Sequence, residues 1–338
     1  GILQFWPVGE RSPLTIDLYH PYVSFLSEMR RKIMNFESLF YSWRIGLGTN
    51  FFALLAYYAA SPLNLLLPLF PMQHITEAVA FLTVTKLGFA AWSFAYMLMN
   101  SIGKEGLFSI RSKERVEEVG SEDFGGDAMI VAVSVAYALC GFNLAFSWDV
   151  MWLDVTAALP LVILGVHKLI REGKTALYAL SLAFCLFVNY YIAFFVCIFT
   201  ALYFFVAYFS AQAAEDQYKE DLRQGRRLSE LSYEERFLVK ENRISFWPIA
   251  LRFGIVTLIG VAISSFLLFP TLLSLADTSA AGDSFPSAWS FRFSAFDFLT
   301  HQLMAIPPSI RRGLPNIYSG ILVFTFVPLY IFSTRIRI

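Results

Sequence analysis

Two carboxylates, one lysine and a pair of arginines are the residues of this sequence best equipped for chemistry. Asp17 lies in Thr15-Ile16-Asp17-Leu18-Tyr19 and Asp154 in Met151-Trp152-Leu153-Asp154. Such a pair, brought together, suits general-base activation of an acceptor hydroxyl, with the second group orienting the acceptor or a metal. Asp149 precedes Asp154 by five residues and is the alternate second carboxylate, or a simple helix cap. Lys86, Arg311 and Arg312 are cations able to hold phosphate, and Lys86 equally suits a structural ion pair. Trp289, Phe291, Phe293, Phe296 and Phe298 share a segment with the two arginines. Their faces suit sugar rings, or a loop resting on a membrane interface. His74, His167 and His301 are scattered, and Cys140, Cys185 and Cys197 lie inside apolar runs. They form no metal-type spacing and no disulfide framework, and no Gly-rich phosphate loop or other cofactor pattern is present.

These side chains need a scaffold, and composition limits the choice. Of 338 residues, 57% are hydrophobic, 17% aromatic and 15% charged, too few polar groups to cover a soluble globule of this size. Lipid must be the solvent, and backbone satisfaction in hydrocarbon then requires helices. The net charge is zero, which offers no basic face for nucleic acid and leaves position along the chain as the electrostatic signal. The predicted fold class is an all-α integral membrane protein, a polytopic helical bundle.

Apolar run lengths predict spans near 76–99, 128–147, 151–169, 249–272 and 316–334. The stretch 176–209 would reach about 50 Å as one helix, against a hydrocarbon core of about 30 Å, so a break is expected near Asn189-Tyr190-Tyr191. Seven crossings follow. Lys86 then falls in mid-span, where a charge costs at least ~2.5 kcal/mol and so demands a purpose.

Loop charge alternates along the chain. Lys104, Arg111, Lys113 and Arg115 mark 100–127, Lys168, Arg171 and Lys174 mark the turn at 170–175, and the basic, solvated segment 210–248 continues the pattern. These ends are expected in the cytoplasm; 148–150, 273–315 and 1–75 are expected outside. Trp148 and Trp152 fit an aromatic belt. The chain thus divides into an outer region, 1–75, and a transmembrane bundle, 76–338. Leu26, Met29, Ile33, Phe36 and Phe40 recur at helical spacing, with Glu28, Arg30, Arg31, Lys32 and Glu37 on the other faces. An amphipathic helix is expected there, lying in the interface or packed on the bundle's outer end. Residues 51–72 are apolar but carry Pro62, Pro68 and Pro71, which predicts short helices or a re-entrant segment. The chain starts at Gly1 without an initiator Met and ends soon after Arg335, so a longer parent protein is expected.

Several stretches are familiar in type and order. Asp17-Leu18-Tyr19-His20-Pro21-Tyr22, Gly46-Leu47-Gly48-Thr49-Asn50 and Tyr57-Tyr58-Ala59-Ala60-Ser61-Pro62 come first. Met151-Trp152-Leu153-Asp154, the stretch from Pro160 to Lys168, Asn189-Tyr190-Tyr191 and Ile317-Tyr318-Ser319-Gly320 follow. The ordered set resembles the YfhO family of bacterial multi-pass membrane proteins over essentially the whole chain. The resemblance implies a GT-C-like bundle at the plasma membrane that transfers a sugar from a polyprenyl-phosphate donor to a cell-envelope glycopolymer, teichoic acid among the candidates. It implies that Asp17 and the 21–40 helix form the first outer loop, with Asp154, or alternatively Asp149, as the second acid. Tyr57, Asn189 and Tyr190 stand in the familiar stretches and join Lys86, Arg311 and Arg312, singled out above as phosphate-holding cations, as the candidate substrate contacts. Family members ordinarily carry a helix before the outer Asp segment and continue beyond residue 338. A transporter or flippase for lipid-linked sugar, and a non-enzymatic envelope scaffold, are the competing readings.

Overall fold

The computed structural model describes residues 14–101, 124–223, 245–276, 294–303 and 316–331. About four-fifths of them are helical. The longer helices are α1 (Val23–Met34), α2 (Ile75–Ser101), α3 (Phe124–Ala138), α4 (Trp152–Glu172), α5 (Ala176–Val188), α6 (Tyr190–Arg223) and α7 (Phe246–Ala276). Four helical stretches, Met72–Asn100, Trp152–Glu172, Tyr190–Ala213 and Phe246–Ala276, are long and apolar enough to cross a bilayer. The chain is an all-α integral membrane protein.

Helix α4 is the centre of the bundle. It is 67% buried, against 28% for α7, and it packs on α2, α5 and α6. Gly165 lets the α5 backbone approach so closely that a Cβ there would stand 2.6 Å from Tyr178 N and Cα. Small residues at such crossings are how helices associate where lipid offers no hydrophobic drive. Hydroxyls add interhelical bonds: Tyr137 Oη donates to the Thr156 carbonyl at 2.6 Å and Ser264 Oγ to the Ala183 carbonyl at 2.8 Å. Pairings near both ends give the helix directions. Trp152 meets Tyr191 and His167 meets Tyr203, so α4 and α6 run parallel with α5 returning between them.

The break at Asn189 falls where the length of the apolar run requires one. Its backbone is extended, and Asn189 Oδ1 accepts the Ile192 N–H at 2.9 Å, capping α6. The run 128–147 is also interrupted: the helix ends at Ala138, and a short one, Gly141–Ala145, follows. Beyond Gly320 the described helix is Ile321–Ile331. Among the described residues, then, four helices have span length against seven expected crossings, or five if one bent pair counts. Ala128–Ala138 and Ala176–Val188 are shorter apolar helices.

That bent pair is the proline-rich segment. Phe51–Ala59 and Pro62–Leu69 meet at 99°, the corner made by Ser61, whose hydroxyl caps the second piece, with Pro62 at its first turn. It is a sharply bent helical hairpin packed on α1, α2 and α7. The amphipathic helix also packs on the bundle: Leu26 and Met29 are buried, and Arg30 Nε donates to the Phe70 carbonyl at 2.8 Å. It ends at Met34, earlier than its apolar stripe suggests. Phe36 turns into the left-handed region (φ 54°) and stands fully exposed, while Lys32 Nζ ties the following loop through the carbonyls of Ser38 and Tyr41. A two-stranded hairpin, β1 (Tyr41–Ser42) with β2 (Thr49–Asn50), closes that loop.

Candidate functional site

Three chain segments that sequence reasoning singled out converge at the end of the bundle where α4 begins. The first is a π-helical turn, Leu18–Tyr22, entered through Ile16, a β-branched residue at φ 51°. Strained backbone of this kind persists only where the surroundings impose it, and π-helical turns concentrate at functional sites. The second is another π-helical turn, Leu55–Ala59, which carries Tyr57 and Tyr58. The third is the Asn189-Tyr190-Tyr191 break.

Aromatic rings join them. Tyr22 lies 5.0 Å from Tyr58 and 6.4 Å from Trp148, centroid to centroid, stacked on the latter. Tyr57 lies 5.7 Å from Tyr190 and 6.3 Å from Tyr191, and Tyr191 lies 6.2 Å from Trp152. Asn189 Nδ2 donates to the Tyr57 carbonyl at 3.0 Å, locking the break to the hairpin. Both functional atoms of Asn189 are thereby used on backbone, so the residue fixes the break against the hairpin.

The carboxylate in this cluster beside Asp17 is Asp149. It sits in the turn before α4, 1% exposed, and its Oδ2 has no hydrogen-bond partner. Burial holds its carboxyl up at about 7, against an ordinary 3.8; the Tyr22 hydroxyl bonding to it works the other way, and the charge of Asp17 raises it further. Burial and then Asp149 push the Tyr22 phenol far above its usual range. A carboxylate poised near neutrality, with a free oxygen and an aromatic surround, has the properties of a general base for a hydroxyl.

Asp154 is placed differently. Lys86 Nζ donates to Asp154 Oδ2 at 2.6 Å and to the Val150 carbonyl at 3.1 Å, and Ser61 Oγ donates to Asp154 Oδ1 at 2.7 Å. Lys86 is 0% and Asp154 1% exposed. The mid-span lysine, which demanded a purpose, is engaged in this buried ion pair with Asp154. Asp154 lies in the first turn of α4, close to where the predicted span 151–169 puts it, but it faces inward onto Lys86 and Ser61, which leaves Asp149, in the turn before the helix, as the carboxylate beside Asp17. The signal that favours Asp149 is its place in a short turn beside Trp148.

Beside the Ser61 corner an apolar groove of about 510 Å³ opens between α2, α5 and the hairpin, lined by Pro62, Leu63, Thr85, Gly88, Phe89, Trp92 and Phe184. His74 pairs with Glu77, and His167 lies 2.6 Å from Tyr203 Oη. Among the described residues no three His, Cys, Asp or Glu side chains stand close enough to hold a metal ion. Arg311, Arg312 and Trp289, Phe291 and Phe293 lie outside the described residues; Phe296 and Phe298 sit on a short capped helix, Ala295–Thr300. Tyr318 of the last familiar stretch docks against the turn at Cys140-Gly141, its carbonyl accepting the Gly141 N–H at 2.8 Å.

A polytopic helical membrane protein with a cluster of aromatic rings and two carboxylates at one end of its bundle is the class these features define. The chain matches the family described as "bacterial membrane protein YfhO" over residues 2–111 and 120–338, and it belongs to that family. No curated protein and no solved structure is significantly similar to it.

Proposed function

We propose that this protein is a membrane glycosyltransferase that moves a sugar from a polyprenyl-phosphate donor to a hydroxyl of a cell-envelope glycopolymer, on the extracytoplasmic face. The observation that carries the reading is Asp149: a buried carboxyl held near 7, one oxygen without a partner, beside Asp17 in a ring of tyrosines and tryptophans. In the proposed reaction Asp149 takes the proton of the acceptor hydroxyl as that oxygen bonds to the sugar's anomeric carbon. The bond from that carbon to the phosphate oxygen breaks, and the polyprenyl phosphate leaves with its electron pair. Asp17 orients the acceptor, and Tyr57, Tyr58, Tyr190, Trp148 and Trp152 present faces for the sugar rings. Arg311 and Arg312 are the proposed cations for the departing phosphate, whose charge stabilisation is a main catalytic term. The groove at Gly88 and Trp92 suits the donor's isoprenoid chain.

Transport would want Lys86 on a path open to both sides; its sealed ion pair weighs for transfer. The test is sugar transfer in vesicles carrying the parent protein, a radiolabelled polyprenyl-phosphate sugar and an envelope polymer acceptor. Transfer should be lost by at least about 100-fold in Asp17→Asn and in Asp149→Asn. Undiminished transfer in both would overturn the proposal.

A further inference from the structure

We propose that Lys86, Asp154 and Ser61 form a positioning device that sets the turn carrying Asp149 against the tyrosines of the bent hairpin. The inference rests on the transferase reading for its consequence and on geometry for its argument. Lys86 Nζ divides its bonds between the Asp154 carboxylate at 2.6 Å and the carbonyl of Val150 at 3.1 Å, and Val150 is the residue after Asp149. The other Asp154 oxygen takes the Ser61 hydroxyl at 2.7 Å, and Ser61 is the corner just past Tyr57 and Tyr58. One lysine on α2, through Asp154, therefore ties the turn to the hairpin within a residue or a few of the groups that meet between them.

All three side chains are sealed: 0%, 1% and 3% exposed for Lys86, Asp154 and Ser61. A buried ion pair is a weak source of stability, because desolvation offsets the attraction, and well-packed apolar residues often serve as well. What apolar residues cannot do is fix a backbone carbonyl and a hydroxyl at hydrogen-bond distance. Asn189 does the equivalent from the other side, through the Tyr57 carbonyl at 3.0 Å. The groups that face Asp149 are Asp17 and Tyr22 from the N-terminal turn and Tyr57 and Tyr58 from the hairpin. Their closeness, and the exclusion of water, are what the device maintains.

The experiment compares Lys86→Met/Asp154→Asn, which removes both charges together and keeps a side-chain amide near Ser61, with the parent chain in vesicles. Ser61→Ala is the milder second variant, chosen because loss of one hydroxyl leaves the chain folded. The protonated Asp149 carboxyl is titrated by infrared difference against Asp149→Asn in each background. The double variant should unfold at the parent's temperature, yet its Asp149 midpoint should fall by about one pH unit or more as water enters the turn. Ser61→Ala should move it the same way by less. Transfer should lose about tenfold or more in kcat with the KM for the lipid donor unchanged. An unchanged midpoint in both variants would overturn the device. A shifted midpoint in a chain whose parent transfers no sugar would leave the device standing and sink the transferase reading instead.

Discussion

Asp149 concentrates the electrostatic argument in one side chain. Its carboxyl is held at about 7, mainly by burial, so the base form required for a hydroxyl proton accumulates as pH rises through that value. Transfer rate at subsaturating acceptor should climb tenfold per pH unit below about 7 and level off above it; a flat profile from pH 5 to 8 would count against Asp149 as the base. Stability runs opposite. A carboxyl whose folded value is raised above the ordinary 3.8 favours the protonated form, so folding loses stability as pH rises from about 4 to about 7. Asp149→Asn should therefore melt higher than the parent at pH 8 and close to it at pH 4. Lys86→Met alone strands the Asp154 charge in a sealed site, and a loss of about 3–5 kcal/mol is expected in a denaturation assay. The double change with Asp154→Asn should recover most of it. At this scale the sequence made Asp17, Tyr57, Asn189 and Tyr190 legible as residues of one region. It could not separate Asp149 from Asp154, because that depends on Lys86 and Ser61, distant in the chain, closing on Asp154 in the fold.

The helices and their interruptions repeat the lesson with a different boundary. Run length and proline content were enough to anticipate the break at Asn189 and the short helices that bend at Ser61, since both follow from what 1.5 Å per residue and a missing N–H allow. The stripe of α1 was misleading past Met34: Phe36 and Phe40 keep helical spacing in sequence, but Lys32 and Glu28 turn inward to hold the loop, through Ser38, Tyr41 and Ser42. No periodicity reports a buried lysine bonded to carbonyls. The groove beside the hairpin offers a clean probe, because a Cβ at Gly88 would meet nothing within 4 Å. Gly88→Leu should leave the melting temperature unchanged and raise the KM for a polyprenyl-phosphate donor severalfold, read from initial rates. A short-chain donor analogue should be insensitive to the change.

Across the whole molecule the parallel course of α4 and α6 gathers Asp17, Tyr57, Asp149 and Tyr190 at one end, and Lys168, Arg171 and Lys174 at the other. Alternating loop charge already implied that polarity, although the partners of each helix could be known only from packing, as with Gly165 on Tyr178. If the basic end faces the cytoplasm, a cysteine at Leu47 should react with an impermeant maleimide in intact cells, and one at Lys174 only after permeabilisation. The reverse pattern would invert the topology and remove the extracytoplasmic acceptor from reach. The claim on which the rest depends is that the carboxylate in the turn before α4 takes the acceptor proton. Its most direct test is the rate of sugar transfer by folded Asp149→Asn relative to the parent chain in vesicles at pH 7.5. The account predicts a loss of at least about 100-fold with the protein still folded and inserted, and a rate equal to the parent's would contradict it.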